Sequence, residues 1–249
     1  MGADMLLVDI GNTRIKGALA REGALTALPA LATAEHPAFA VWHEHIGAAP
    51  QRVVVSNVAG PAVIEDLERH ARTFWRVGIE VVRPARTHGP MTTRYRDPTR
   101  LGVDRWIAAY GAYAEARGAV CVVDVGTALT VDVVQGDGTH LGGLIAPGPD
   151  LMRLSLTRGT AQLQSTGIEV VTGFADNTQD AISLGCGDAI GGLMDRVAER
   201  LAALEPREDY TWYLTGGAAE TVAARLRVPC RHVPDLVLRG LLAHAEAGT

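Results

Sequence analysis

Two spacings of apolar residues recur along the chain. Short apolar runs closed by turn residues predict strands, and apolar residues three and four apart predict helices. Leu6–Asp9 and Arg14–Ala20 read as two strands joined by a turn at Gly11-Asn12. His36–Ile46 reads as a helix and Arg52–Asn57 (RVVVSN) as a buried strand. Pro61–Arg76 reads as a helix with proline in its first turn, followed by a short strand at Ile79–Arg83. Thr87–Thr99, rich in Thr, Pro, Gly and Arg, reads as a loop, and Leu101–Ala116 as a helix.

The pattern then begins again. Val120–Asp124 and Thr130–Val134 repeat the opening pair of strands, and Leu141–Ala146 adds another. Asp150–Thr160 and Asn177–Leu204 are helical, the second softened by Gly185, Gly187, Gly191 and Gly192. Tyr210–Thr215 is a strand ending in Gly216-Gly217, and Glu220–Leu226 and Leu236–Glu246 close the chain as helices. LLVDIGNTRIK at residues 6–16 and VVDVGTALTVDVV at residues 122–134 make the same statement: two apolar residues, Asp-x-Gly, then a threonine. The predicted fold class is α/β, one domain of mixed sheet and flanking helices built twice. The copies divide at residues 1–117 and 118–249, with a cleft between them.

Composition narrows the partners. Of 249 residues, 47% are hydrophobic and 20% charged, enough to bury a large core. A net charge of −5 argues against a nucleic-acid or anionic-membrane partner. No apolar run is long enough to span a bilayer, and the start of the chain does not read as a signal peptide. Cys121, Cys186 and Cys230 show neither zinc spacing nor a disulfide framework, so buried thiols in a reducing, cytoplasmic setting are expected. The single lysine, Lys16, is followed by Gly17, which excludes a P-loop. His43-Glu44-His45 reads as a solvated helix face, and His88 and His140 have no evident partner.

Two segments carry chemistry. In each Asp-x-Gly hairpin, glycine permits a tight turn, and Thr, Asn and backbone N–H groups can hold phosphate oxygens. Its aspartate can bind a metal directly or through water. One such hairpin is more simply a turn; two at the heads of similar halves favour a phosphate clamp. In Leu101-Gly-Val-Asp-Arg-Trp106, Asp104 stands at a helix start. It reads equally as a helix cap and as the base that receives a hydroxyl proton in phosphoryl transfer. Arg105 could hold an acidic substrate through a forked contact.

The ordered series DIGNTRIK, GVDRW, VVDVGTALT, GGLIAPG, DNTQDAISLG, LTGG and DLVLRGL closely resembles the type III pantothenate kinases over nearly the whole chain. Its paired hairpins resemble those of the wider actin, hexokinase and Hsp70 superfamily. The resemblance implies duplicated actin-like (ribonuclease H-like) domains and ATP-dependent phosphorylation of pantothenate to 4'-phosphopantothenate, the first step of coenzyme A biosynthesis. It also implies a homodimer. Asp9, Ile10, Gly11, Asn12, Thr13, Arg14, Ile15 and Lys16 match the first ATP-binding hairpin, with Asp9 near magnesium, through water. Thr127 matches an ATP contact in the second hairpin, and Asp124 a site for a monovalent cation, potassium or ammonium. Gly102, Val103, Asp104 and Arg105 match the pantothenate-contacting segment, with Asp104 as catalytic base. Tyr95 matches a position lining that pocket. Thr178 matches a contact supplied by the neighbouring subunit, although Asp176, Asn177 and Thr178 are all plausible helix caps. Val103 replaces a common Ala and Val125 a common Phe, departures that touch packing and leave the polar groups intact.

Two other readings use the same residues. A nucleotide-binding regulatory accessory protein of this fold would keep both hairpins without needing Asp104 or Arg105. A kinase of another small hydroxyl substrate would differ in loops such as Thr87–Thr99.

Overall fold

The computed structural model describes residues 4–33, 39–157 and 173–248. Two compact units are formed, Met1–Glu115 with Leu236–Thr249, and Ala116–Asp235. In the first, β1 (Met5–Ile10) and β2 (Arg14–Arg21) form an antiparallel hairpin, to which β3 (Ala24–Ala27) and β4 (Leu31–Ala32) add. On its other side β1 pairs in parallel with β5 (Arg52–Asn57), and β5 with β6 (Ile79–Val81). The strand path is β3-β2-β1-β5-β6.

The second unit repeats this plan. β9 (Val120–Val125) and β10 (Ala128–Val134) form the hairpin, and β11 (Thr139–Pro147) extends it antiparallel. β12 (Thr211–Thr215) pairs in parallel with β9, and β13 (Cys230–His232) with β12. The path β11-β10-β9-β12-β13 matches the first unit strand for strand. Central parallel strands need both faces covered, which is why the middles of these runs are apolar on both faces.

In the first unit, Leu6, Val8, Ile10, Val53 and Val55 face a core closed by Phe39, Trp42, Ile46, Leu67 and Trp75. The last three come from α1 (His43–Ile46), from α2 (Pro61–His70) and from the wider turn that follows it. The opposite face of the sheet is covered by α7 (Leu236–Ala247), which packs on β1, β5 and β2. The sequence division near residue 117 assigned this helix to the second half. Its apolar face returns to the first sheet instead. The helix α3 (Val103–Ala116) meets α7 where two glycines touch: a Cβ on Gly111 would lie 2.8 Å from the Gly240 Cα. In the second unit, Ile190, Met194, Val197 and Leu201 of α5 (Thr178–Ala202) pack on Cys121, Val123, Val125 and Val131. α4 (Pro149–Thr157) lies against α5, and the short α6 (Ala219–Ala223) follows β12.

Boundaries differ from the sequence reading where tertiary packing intervenes. Phe39–Trp42 is a 3-10 turn leading into α1, because Phe39, Trp42 and Ile46 are all drawn into one core; residues 36–38 of the expected helix lie outside the described residues. α2 gives way at Ala71 to a wider turn through Trp75, which delivers Trp75 to the core before Arg76 ends it in a left-handed conformation (φ 61°). The expected loop Thr87–Thr99 contains a small hairpin, β7 (Thr87–His88) with β8 (Met91–Thr93). The tail of the helix expected over Asp150–Thr160 lies beyond the described residues. Gly187 and Gly191 of α5 are explained within the chain, since the Arg225 side chain and carbonyl occupy the space a Cβ would fill.

Of the expected solvated face His43-Glu44-His45, Glu44 and His45 are exposed, while His43 is half-buried. His43 and His70 share a ring-nitrogen hydrogen bond of 2.7 Å inside a cage of Phe39, Phe74 and Trp75. His244 Nδ1 meets His88 Nε2 at 3.0 Å and His244 Nε2 meets Glu80 at 3.2 Å. His140 pairs with Asp132 at 3.0 Å in the second unit. Burial, then the neighbouring histidine, lowers the pKa of both His70 and His88. The folded state therefore binds fewer protons than the unfolded chain below about pH 6.5. Stability is expected to be complete above that pH and to be lost as pH falls from there through the folded-state values. Denaturant midpoints between pH 5 and 8 check this: in His70→Phe the acid-side slope becomes shallower, and an unchanged slope refutes the assignment.

Candidate active site

Each hairpin turn is held by hydrogen bonds that the sequence pattern does not display. In the first unit, Gly11 N donates to Arg14 O at 3.0 Å, and Val58 N to Ile10 O at 2.9 Å. Thr33 ties the turn from outside, its N–H donating to Thr13 O at 3.1 Å and its hydroxyl to Gly11 O at 2.8 Å. In the second unit, Gly126 N donates to Ala128 O, Gly148 N to Thr127 O and Ala218 N to Val125 O, each at 2.9 Å. Ile10 and Val125, the matching ends of β1 and β9, thus each accept a bond from the segment that follows the parallel neighbour strand, so the duplication reaches individual hydrogen bonds.

The exposed residues at these turns are Asn12, Thr13, Arg14 and Thr127. Their side chains carry amide, hydroxyl and guanidinium groups, the chemistry that hydrogen-bonds anions. Ile10 and Ile15 are fully buried, so only their backbones can serve a ligand. Asp9 and Lys16 face one another across β1 and β2, and Ser56 of β5 is the parallel neighbour of Asp9. The Ser56 hydroxyl is buried with no hydrogen-bond partner among the described residues. In the second unit, Asp124 lies between Thr130 of β10 and Thr215 of β12. Gly216 (φ 97°) follows; any Cβ there would overlap the Asp124 carboxylate and the Val125 carbonyl. A Cβ on Gly148 would strike the Gly126 carbonyl. Thr33, Ser56, Gly148 and Gly216 were not singled out from sequence. The motifs GGLIAPG and LTGG carried the signal for the two glycines; nothing local marks Thr33 or Ser56.

The start of α3 brings together the second constellation. Trp106 N donates to Gly102 O at 3.0 Å, which begins the helix, and Asp104 Oδ1 accepts from Arg105 N at 2.8 Å. A Cβ on Gly102 would come within 2.7 Å of that oxygen, so glycine leaves the carboxylate its position. Arg105 is 8% exposed, and its Nη1 donates to the Tyr95 hydroxyl at 3.1 Å. Tyr95 and Arg105 thus meet, ten residues apart. Val103 and Val125 are core residues, which explains why their departures from the common pattern are matters of packing. Asn177, rather than Thr178, caps α5: its Oδ1 accepts from Asp180 N at 2.9 Å. Thr178 is exposed in the first helical turn.

The family model for type III pantothenate kinase matches residues 5–200. The type III pantothenate kinase of Nitrosococcus oceani is 38% identical over 97% of this chain and 94% of its own. That of Aromatoleum aromaticum is 39% identical over 97% and 98%. The chain belongs to the type III pantothenate kinase family. The family's reaction, phosphorylation of pantothenate in coenzyme A biosynthesis, is its function. Among solved structures, an activator of 2-hydroxyisocaproyl-CoA dehydratase from Clostridium difficile superposes with a TM-score of 0.57 at 12% identity, over 98% of this chain and 96% of its own. A Campylobacter jejuni protein assigned to the Baf transcriptional activator family superposes with a TM-score of 0.61 at 20% identity, over 98% of both chains. At these identities the likeness speaks for the duplicated actin-like fold alone. No helix among the described residues is long and apolar enough to cross a membrane.

Proposed function

We propose that this kinase transfers the γ-phosphoryl group of ATP directly, in line, to the pantothenate hydroxyl, with Asp104 as the base. The observation that carries this reading is the start of α3. There Gly102 leaves room for the Asp104 carboxylate, and Arg105, largely buried, is joined to Tyr95. Asp104 accepts the hydroxyl proton as attack proceeds, while Arg105 and Tyr95 hold the acidic acceptor.

The two hairpins hold phosphate oxygens through turn N–H groups and the side chains of Asn12, Thr13, Lys16 and Thr127. Asp9 beside the buried Ser56 hydroxyl offers hard oxygen donors that fit hydrated magnesium. Among the described residues no group of three or more His, Cys, Asp or Glu side chains is placed to hold a metal ion. Magnesium bound with ATP supplies charge compensation on the transferring phosphoryl group. Asp124, in the space Gly216 leaves open, fits a monovalent cation such as potassium or ammonium. A homodimer in which Thr178 reaches the neighbouring subunit's acceptor site agrees with the exposure of Thr178, released from capping by Asn177. The three free thiols suit the reducing cytoplasm.

The test is ATP-dependent phosphorylation of pantothenate by the purified protein, with magnesium and either potassium or sodium. Turnover that is faster in potassium is expected; no turnover with ATP bound would point to another acceptor or to the regulatory reading. Gly216→Ala drives a methyl group into the Asp124 carboxylate, and the potassium concentration for half-activation is expected to rise ~10-fold or more. An unchanged potassium response would remove Asp124 from that role.

A further inference from the structure

We infer that Arg86 is a positioning residue for the acceptor pocket, acting through the backbone of the Thr93–Arg96 segment to set the place of Tyr95. Arg86 Nη1 donates to Thr93 O at 2.7 Å and to Tyr95 O at 2.6 Å, and its Nη2 donates to Arg96 O at 3.1 Å. Its own carbonyl accepts from Thr93 N at 3.0 Å. Three carbonyl oxygens aimed at one point would repel one another; the planar guanidinium satisfies all three at once. The chain is thereby wound around Arg86, with Tyr95 N donating to Thr93 Oγ1 at 3.1 Å inside the bend. The next turn is closed locally, since Asp97 accepts from Thr99 N at 3.0 Å and Thr99 Oγ1 at 2.6 Å.

The side chain of Tyr95 carries this order to the chemistry. Its hydroxyl accepts from Arg105 Nη1 at 3.1 Å, and Arg105 follows Asp104 at the head of α3. Arg86 itself is exposed, and its guanidinium bonds backbone carbonyl oxygens of the segment. Its effect on the acceptor is therefore indirect. A lysine would place one compact ammonium where a two-pronged fork now spans three acceptors, and would hold the bend only in part.

This inference rests on the reading of Tyr95 and Arg105 as acceptor contacts, and steady-state kinetics of the full-length enzyme separate the two. Arg86→Ala is expected to raise the KM for pantothenate by ~10-fold to 100-fold, the size of effect that misplaced contacts produce. The KM for ATP and the melting temperature should stay close to those of the native protein. Arg86→Lys should recover part of the loss. Arg86→Ala combined with Tyr95→Phe should cost less than the product of the two single effects, because both act through one phenol. Equal rises in both KM values, a loss confined to kcat, no recovery by lysine, or multiplicative single effects would each overturn the inference. Arg105→Gln distinguishes the deeper failure. If it raises the pantothenate KM and Arg86→Ala does not, the pocket stands and Arg86 has no part in it. If neither moves that KM, the pocket reading itself falls.

Discussion

Asp104→Asn is expected to lower kcat by ~10² or more while ATP affinity and melting temperature stay nearly unchanged. The substitution separates two roles that share one position. The Asp104 Oδ1 atom accepts from the backbone N–H of Arg105, at the first turn of α3. An amide oxygen accepts that hydrogen bond as well as a carboxylate does, and Asn serves the start of a helix as readily as Asp. The local structure should therefore persist, with Gly102 still leaving space beside the side chain. What disappears is the capacity to take a proton from the attacking hydroxyl. Single-turnover measurement of pantothenate phosphorylation, beside ATP binding by calorimetry, reads the two effects separately. Equal rates for the native and mutant proteins would leave Asp104 as a structural residue.

Gly240→Val is expected to destabilise the protein by ~3 kcal/mol or more, the upper range for overpacking a filled interface. A Cβ at residue 240 would overlap the Ile107 carbonyl oxygen and lie 2.7 Å from Ile107 Cγ2. Neither helix can turn away cheaply, because Leu236, Leu238 and Leu241 of α7 are buried and so are Trp106, Ile107 and Ala108 of α3. At roughly 2–4 °C per kcal/mol for a chain of this size, the melting temperature should fall by ~6–12 °C. Gly192→Ala is the control. Nothing lies within 4 Å of a Cβ there, and alanine in a helix interior should be neutral or stabilising by about 0.5–1 kcal/mol. A native-like melting temperature for Gly240→Val would show that the α3–α7 contact tolerates separation. Because α3 carries Asp104 and Arg105, activity should decline along with stability.

Much of the architecture was legible from the pattern of residues. Alternating apolar runs and helical spacing located β1, β2, β5, α3, β9, β10, α5, β12 and α7, since each buries a face long enough to leave a period in the chain. Elements of two to four residues, β3, β4, β7, β8 and β13, left no such period and went unseen. The repeated Asp-x-Gly phrase announced the duplication, and the structure carries it down to matching strand paths and matching bonds from Val58 and Ala218. Asp104 and Arg105 stood out as candidates beside Gly102, which leaves the Asp104 carboxylate its position, and Asp9 and Asp124 within the repeated Asp-x-Gly phrase; Gly216, which spares Asp124, follows a different strand.

Other features depended on contacts distant in sequence. The return of α7 to the first sheet could not be read from Leu236–Ala247, whose apolar face fits any sheet of suitable shape until packing selects one. Thr33 braces a turn twenty residues away, and Ser56 meets Asp9 only because β5 runs parallel to β1. Arg86 gave no signal among the many arginines until the carbonyls of Thr93, Tyr95 and Arg96 turned toward it. Local sequence decides periodicity, turns and the chemical groups on offer, since these depend on a few neighbouring residues. Tertiary structure decides which groups meet, since a hydrogen bond across dozens of residues exists only after the sheet has set its register.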